Sequence, residues 1–170
     1  DVCLVIAQTD AEKKHKGINA LIVDKGLDGF VVGKKEDKLG IRGSDTHSLM
    51  FQDVKVPKEN RIGEDGFGFS FAMKVLNGGR IGIAAQALGI ASGAYELSLQ
   101  YSKERKAFGK EISKHQAIQF KLADMATEIE AARLLCLKAA KLKDDHKDYA
   151  TASAMAKLYS SKVAMDTTVE

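Results

Sequence analysis

The chain has 170 residues, enough for one ordinary domain or two small ones. Its 45% hydrophobic and 29% charged residues exclude a disordered polymer. Lys and Arg (26) barely outnumber Asp and Glu (23), and no basic run is interleaved with aromatics, which argues against a nucleic-acid binder. The longest apolar runs are too short to cross a bilayer. Two distant cysteines, Cys3 and Cys136, exclude a disulfide framework or a cysteine zinc site and fit a reducing compartment. The scattered histidines His15, His47, His115 and His146 exclude a His-rich metal site.

Residues 1 to about 57 carry strand patterns. Val2-Cys3-Leu4-Val5-Ile6-Ala7, Ile18-Asn19-Ala20-Leu21-Ile22-Val23 and Gly29-Phe30-Val31-Val32-Gly33 are short β-rich runs. From Thr46 to Val56 the side chains alternate, with His47, Leu49, Phe51 and Asp53 on one face. Short strands without crossover helices predict an antiparallel sheet or barrel piece. The segment starting at Asp1 carries no leader pattern, and the chain ends within a helical pattern. Both ends are expected to be cuts in a longer protein.

Beyond Pro57 the period becomes helical. A first helix is expected over about 66–103, its seam formed by Phe69, Ala72, Leu76, Ile83, Ala87, Ile90, Ala94, Leu97 and Tyr101. Gly82, Gly89 and Gly93 in it each cost up to about 1 kcal/mol of helix propensity, which close helix packing would offset. Ile118, Leu122, Met125, Ile129, Ala132, Cys136 and Ala139 follow a 4, 3 spacing and predict one long helix over about 114–143. Ala152, Met155, Ala156, Tyr159 and Val163 mark a third from about 148. The fold class is therefore α+β: an antiparallel β piece over 1–60, then a truncated antiparallel bundle of long helices over 61–170.

Candidate chemistry concentrates at three places. Arg80 lies on the first seam beside Leu76 and Ile83 and is expected to be buried there. It either snorkels, pairs with Glu128 or Asp124, or meets an anionic or carbonyl ligand. Asn77-Gly78-Gly79 just before it favours the ligand, because adjacent glycines open the backbone to close approach. Arg105, Lys106 and Lys110 flank Phe108 in Arg105-Lys106-Ala107-Phe108-Gly109-Lys110. They either complement a helix C-terminus with Phe108 tucked under the loop, or form an anion site. His115-Gln116 opens the next helix as first-turn polar residues or as donors to a ligand. Leu39-Gly40-Ile41-Arg42-Gly43-Ser44-Asp45-Thr46 is a glycine-bracketed turn. Gly63-Glu64-Asp65-Gly66-Phe67-Gly68 lacks both GxGxxG and a Lys-Ser/Thr, which rejects a dinucleotide or P-loop; Asp65 is expected to cap the first helix.

In order along the chain, Lys38-Leu39-Gly40-Ile41-Arg42-Gly43-Ser44-Asp45-Thr46, Phe51-Gln52-Asp53-Val54-Lys55-Val56-Pro57, Leu76-Asn77-Gly78-Gly79-Arg80, Arg105-Lys106-Ala107-Phe108-Gly109-Lys110 and His115-Gln116-Ala117-Ile118-Gln119-Phe120 resemble an acyl-CoA dehydrogenase, nearest the short-chain, butyryl-type members. The resemblance covers all 170 residues. It implies the later part of the family's middle β domain and the first helices of its C-terminal bundle. It also implies FAD as cofactor and α,β-dehydrogenation of an acyl-CoA thioester. Asn77, Gly78, Gly79 and Arg80 would then line the substrate, and Arg105, Phe108 and Gln116 would bind the FAD of a neighbouring subunit.

The resemblance implies no catalytic residue here. The proton-abstracting Glu is expected beyond Glu170, since Gly79 stands where some branched-chain members carry one. Implied partners are electron-transfer flavoprotein and further copies of the chain in a dimer of dimers. The implied location is bacterial cytoplasm or, in a eukaryote, the mitochondrial matrix. An acyl-CoA oxidase of the same architecture and a non-enzymatic helical scaffold remain the alternatives.

Overall fold

Two runs of alternating side chains, β1 (Val2–Gln8) and β2 (Ile18–Asp24), pair antiparallel, with Val2 opposite Asp24 and Gln8 opposite Ile18. Asn19, Ala20 and Val23 are the buried positions of β2. Its carbonyls also hold the segment before the first helix: Ile62 N–H donates to Ala20 O (2.9 Å) and Asn60 Nδ2 to Ile22 O (3.0 Å). β3 (Phe30–Lys35) and β4 (His47–Phe51) form a second, separate antiparallel pair, their ends joined by the stacked rings of Phe30 and Phe51 at 4.7 Å. This computed structural model describes all 170 residues, and they divide into two units, Asp1–Met73 and Lys74–Glu170.

Two expectations for the first unit are corrected. The fourth strand ends at Phe51 instead of running to Val56, because Asp53 takes a φ of 53° and turns the chain out of the ladder. Asp65 does not cap a helix. Its Oδ1 accepts from Asn19 Nδ2 (2.9 Å) and Arg61 Nη1 (3.2 Å). Asn19 is saturated in turn, donating also to Thr9 Oγ1 (2.7 Å) and accepting from Gly66 N–H (2.9 Å). That network seats the start of α1 (Gly68–Glu104) on β2. Gly68 is required there, since a Cβ would lie 2.4 Å from the Asn19 carbonyl carbon.

The helices are α1, α2 (Gln116–Asp144) and α3 (Ala150–Val169). The α2 seam is as its spacing predicts, with Met125, Ile129, Ala132, Cys136 and Ala139 all buried. Ala84 meets Cys136, Ala139 and Ala156, while Ala91 meets Ile129, Ala132, Val163 and Ala164. Along α2 these contacts run backward relative to both α1 and α3, so α2 is antiparallel to each. The Cys136 thiol also lies 3.9 Å from the Ile81 carbonyl.

The buried faces of the other two helices differ from their expected seams. On α1 the buried residues are Ala84, Ala91 and Ser102. Leu76, Ile83, Ile90, Leu97 and Tyr101 lie about 100° around the helix from Ala84's face and are exposed. Gly82, Gly89 and Gly93 face no neighbour within this chain. On α3, Ser153, Ser160 and Thr167 share the buried face with Ala156 and Val163, and Met155 is exposed. Small side chains line both buried faces, and the closest backbone approach they permit is that of α3 to α2. No helix is long and apolar enough to cross a membrane.

Burial also sets cysteine chemistry. Desolvation pushes the Cys136 thiol up, lowering its thiolate fraction at neutral pH, whereas Cys3 is partly exposed. Iodoacetamide near neutral pH should therefore alkylate Cys3 well before Cys136, read by peptide mass spectrometry. Equal rates would show that the bundle opens. Replacing Ala91 by Leu should overpack the three-helix contact and lower stability by about 1–3 kcal/mol, measured by urea denaturation.

Candidate functional site

Asn77, Gly78, Gly79 and Arg80 occupy one continuous turn of α1. Asn77 and Arg80 are three apart, so they lie on one side of the helix. Arg80 Nη1 donates to Asn77 Oδ1 at 2.9 Å, and both side chains are half-buried. This corrects the expected setting of Arg80. Leu76 and Ile83 are 52% and 47% exposed, so they do not bury it, and neither Glu128 nor Asp124 pairs with it. The neutral amide orients the guanidinium without neutralising it, leaving the remaining N–H donors for another acceptor. Gly79 has nothing within 4 Å of where a side chain would begin. From that point at Gly78, Lys143 Nζ lies 3.6 Å away and Tyr149 OH 4.0 Å. No spacing in the sequence links residue 78 to 143 or 149; only the fold does.

The second group sits at the other end of α1. After Glu104 the chain forms a minimal hairpin, β5 (Lys106–Ala107) and β6 (Lys110–Glu111), with Phe108-Gly109 as its two-residue turn. Phe108 has φ 52° and Gly109 φ 79°. Positive φ at both central positions is the type I′ pattern, which favours Asn-Gly and disfavours an aromatic residue at the first position. Phe108 is nevertheless there and 97% exposed, not tucked beneath the loop. Arg105, Lys106 and Gln116 are exposed, and neither Arg105 nor Lys106 forms an ion pair. Gln116 is the first residue of α2, two elements along from the hairpin, and His115 precedes it as N-cap.

Arg105, Phe108 and Gln116 thus share one end of the helical unit, as three exposed side chains around a short turn. The structure does not bring them to Arg80. From Arg80 to Glu104 the helix rises roughly 36 Å at 1.5 Å per residue. No group of three or more His, Cys, Asp or Glu is placed to hold a metal.

Residues 66–170 match the acyl-CoA dehydrogenase C-terminal domain, and residues 1–54 match the acyl-CoA dehydrogenase middle domain. The chain belongs to the acyl-CoA dehydrogenase family. Over all 170 residues it is 54% identical to the short-chain specific acyl-CoA dehydrogenase of Megasphaera elsdenii, covering 44% of that protein. The structure of butyryl-CoA dehydrogenase from the same organism superposes with a TM-score of 0.95 at 53% identity, over 99% of this chain and 44% of that one. A structure of PigA with FAD and proline gives 0.95 at 28% identity, over 98% and 44%. The chain therefore spans less than half the length of each of these proteins.

The hairpin turn makes a direct prediction. Phe108→Asn places a residue that tolerates the left-handed conformation where φ is 52°. Thermal unfolding should show unchanged or slightly higher stability, by up to about 1 kcal/mol. A clear loss of stability would mean that the ring's edge contact with His115 outweighs the strain of its turn position.

Proposed function

We propose that this chain is the later middle-domain part (1–60) and the first bundle part (61–170) of an FAD-dependent dehydrogenase acting on short-chain acyl-CoA. The carrying observation is Phe108: an exposed aromatic ring at a turn position that disfavours it, beside the unpaired Arg105 guanidinium. A planar ring and a free cation fit a group that combines an aromatic system with a pyrophosphate. FAD is such a group, and when bound it supplies the acceptor for the hydride leaving the β carbon of the thioester.

Around that chemistry the chain's own residues bind and orient. Arg105 forks onto phosphate, Phe108 offers its face, and Gln116 donates from the start of α2. Arg80, aimed by Asn77, donates to an oxygen of the acyl-CoA, and Gly78 and Gly79 let the substrate lie against the helix backbone. The carboxylate that takes the α proton is assigned beyond Glu170, since Gly79 offers no acid-base group.

The two groups lie too far apart along α1 for one dinucleotide to serve both, which supports a hairpin that reaches the flavin of a second subunit. The exposed stripe Leu76, Ile83, Ile90, Leu97 and Tyr101 supports the same reading, because such a face favours a symmetric partner. The assembly we propose is a dimer that pairs again into a tetramer. It would pass electrons to an electron-transfer flavoprotein, in the cytoplasm of a bacterium or the mitochondrial matrix of a eukaryote.

The full-length protein should show a flavin absorption band that bleaches with butyryl-CoA. A colourless protein, or a band that butyryl-CoA leaves unchanged, would count against the assignment. Rapid reoxidation by O₂ in place of electron-transfer flavoprotein would turn it toward an oxidase. Arg105→Ala should weaken FAD binding roughly ten- to hundredfold, the worth of a charge-assisted bond of about 1.5–3 kcal/mol, measured by fluorescence quenching. Arg80→Ala should raise KM or lower kcat for acyl-CoA while flavin stays bound.

A further inference from the structure

A hairpin with two residues in each strand is marginal by itself, and this one also holds a phenylalanine in the left-handed region. Its ladder is short: Lys106 pairs Glu111, Ala107 pairs Lys110, and Ile112 N–H donates to Arg105 O at 2.8 Å. One side chain reaches into its backbone from outside. The Nε2 of His115 lies 3.1 Å from Ala107 O, the carbonyl just before the turn. The same ring stands edge-on to Phe108, with centroids 6.0 Å apart and planes at 82°.

His115 is also fixed at its main chain. Its N–H donates to Ile112 O (3.0 Å), and its carbonyl accepts from Ile118 (3.0 Å) and Gln119 (3.1 Å) in the first turn of α2. It is half-buried, unlike Arg105, Phe108 and Gln116 around it. One residue thus connects the turn carrying Phe108 to the helix start carrying Gln116. An Nε2–H donor to the carbonyl and an aromatic edge to the ring need an imidazole or a group of similar reach; an aliphatic side chain supplies neither.

We propose that His115 is a positioning residue: it clamps Ala107 and buttresses Phe108, so that the hairpin is preformed for its ligand. This rests on the reading of the hairpin as a flavin-binding element. Preorganisation of this kind raises affinity by removing the ordering that binding would otherwise require.

The test uses the full-length protein freed of FAD. His115→Ala removes the clamp and leaves the main-chain bonds of the α2 N-terminus in place. His115→Gln keeps a side-chain N–H that can reach Ala107 O. Without flavin, the Ile112 amide should exchange roughly two- to tenfold faster in His115→Ala, the scale of one lost hydrogen bond, with the Gln variant near wild type. FAD titration should show Kd raised by a similar factor in the Ala variant and restored in the Gln variant, with KM for acyl-CoA unmoved. Far-UV circular dichroism verifies that both variants fold; if the Ala variant does not, a Gln variant with impaired exchange protection and affinity overturns the clamp. Unchanged exchange in His115→Ala, or faster exchange with unchanged FAD affinity, overturns the proposal. Arg105→Ala separates the two readings. If it weakens FAD while His115→Ala does not, the clamp alone fails; if neither does, the flavin reading of the hairpin falls with it.

Discussion

Burial of two alanines of α1 against the closely packed α2–α3 pair is the constraint on which the rest of the helical unit depends. Ala84 and Ala91 are fully buried at the points where α1 meets the seams of both other helices. α2 and α3 are the most closely packed helices, and α1 rests on both through these two methyl groups and the Cys136–Ile81 contact. A helix of 37 residues spans about 55 Å along its axis. One end carries Asn77 and Arg80 beside the Lys143 and Tyr149 side chains. The other delivers the chain into the Phe108 hairpin. The separation of the two groups is therefore a consequence of packing and is independent of any ligand.

The same constraint explains which elements were legible in the sequence. The α2 seam could be read residue by residue because Met125 and Ile129, followed by Ala132, Cys136 and Ala139, keep the 4, 3 spacing without a competing apolar stripe of the kind α1 carries. The α1 and α3 helices could be located but their faces could not. On α1 the buried positions are alanine and serine, which carry little hydrophobic signal. The visible stripe of Leu76, Ile83, Ile90 and Leu97 faces out of this chain. On α3 Ser153, Ser160 and Thr167 read as polar yet lie inside, and the Ser160 hydroxyl has no hydrogen-bond partner. Periodicity reports where apolar side chains recur, not which face meets the backbone of a neighbour.

The candidate sites divide similarly. Asn77, Gly78, Gly79 and Arg80 stand out locally, because two glycines within a helix contradict its propensity. What could not be read was the bond from Arg80 to Asn77 or the arrival of Lys143 beside Gly78, both products of the folded backbone. Phe108-Gly109 was visible as a turn, but not as a type I′ turn with its aromatic residue turned to solvent. Asp65 illustrates the converse. It has a capping residue's chemistry, but Asn19 and Arg61, 46 and 4 residues away, take its carboxylate first.

Local consistency is the ordinary condition of a folded sequence, so departures from it are informative. At Phe108 three features coincide: a left-handed φ without Gly or Asn, a nearly fully exposed aromatic ring, and neighbouring Arg105 and Lys106 that form no ion pair. The first two are unfavourable in the isolated chain, and the only contact to the rest of the helical unit that bears on them is the His115 edge. A ligand that stacks on the ring and accepts from the guanidinium would use the second and third together. If that ligand is held by another subunit, its binding stabilises the assembled form over the free chain by RT ln(1 + [L]/Kd), about 2.7 kcal/mol at a hundredfold excess over Kd. The exposed apolar stripe on α1 acts in the same direction, since covering it also requires a partner. Cofactor retention and oligomer formation would then be two readings of one equilibrium, with the hairpin as the element that couples them.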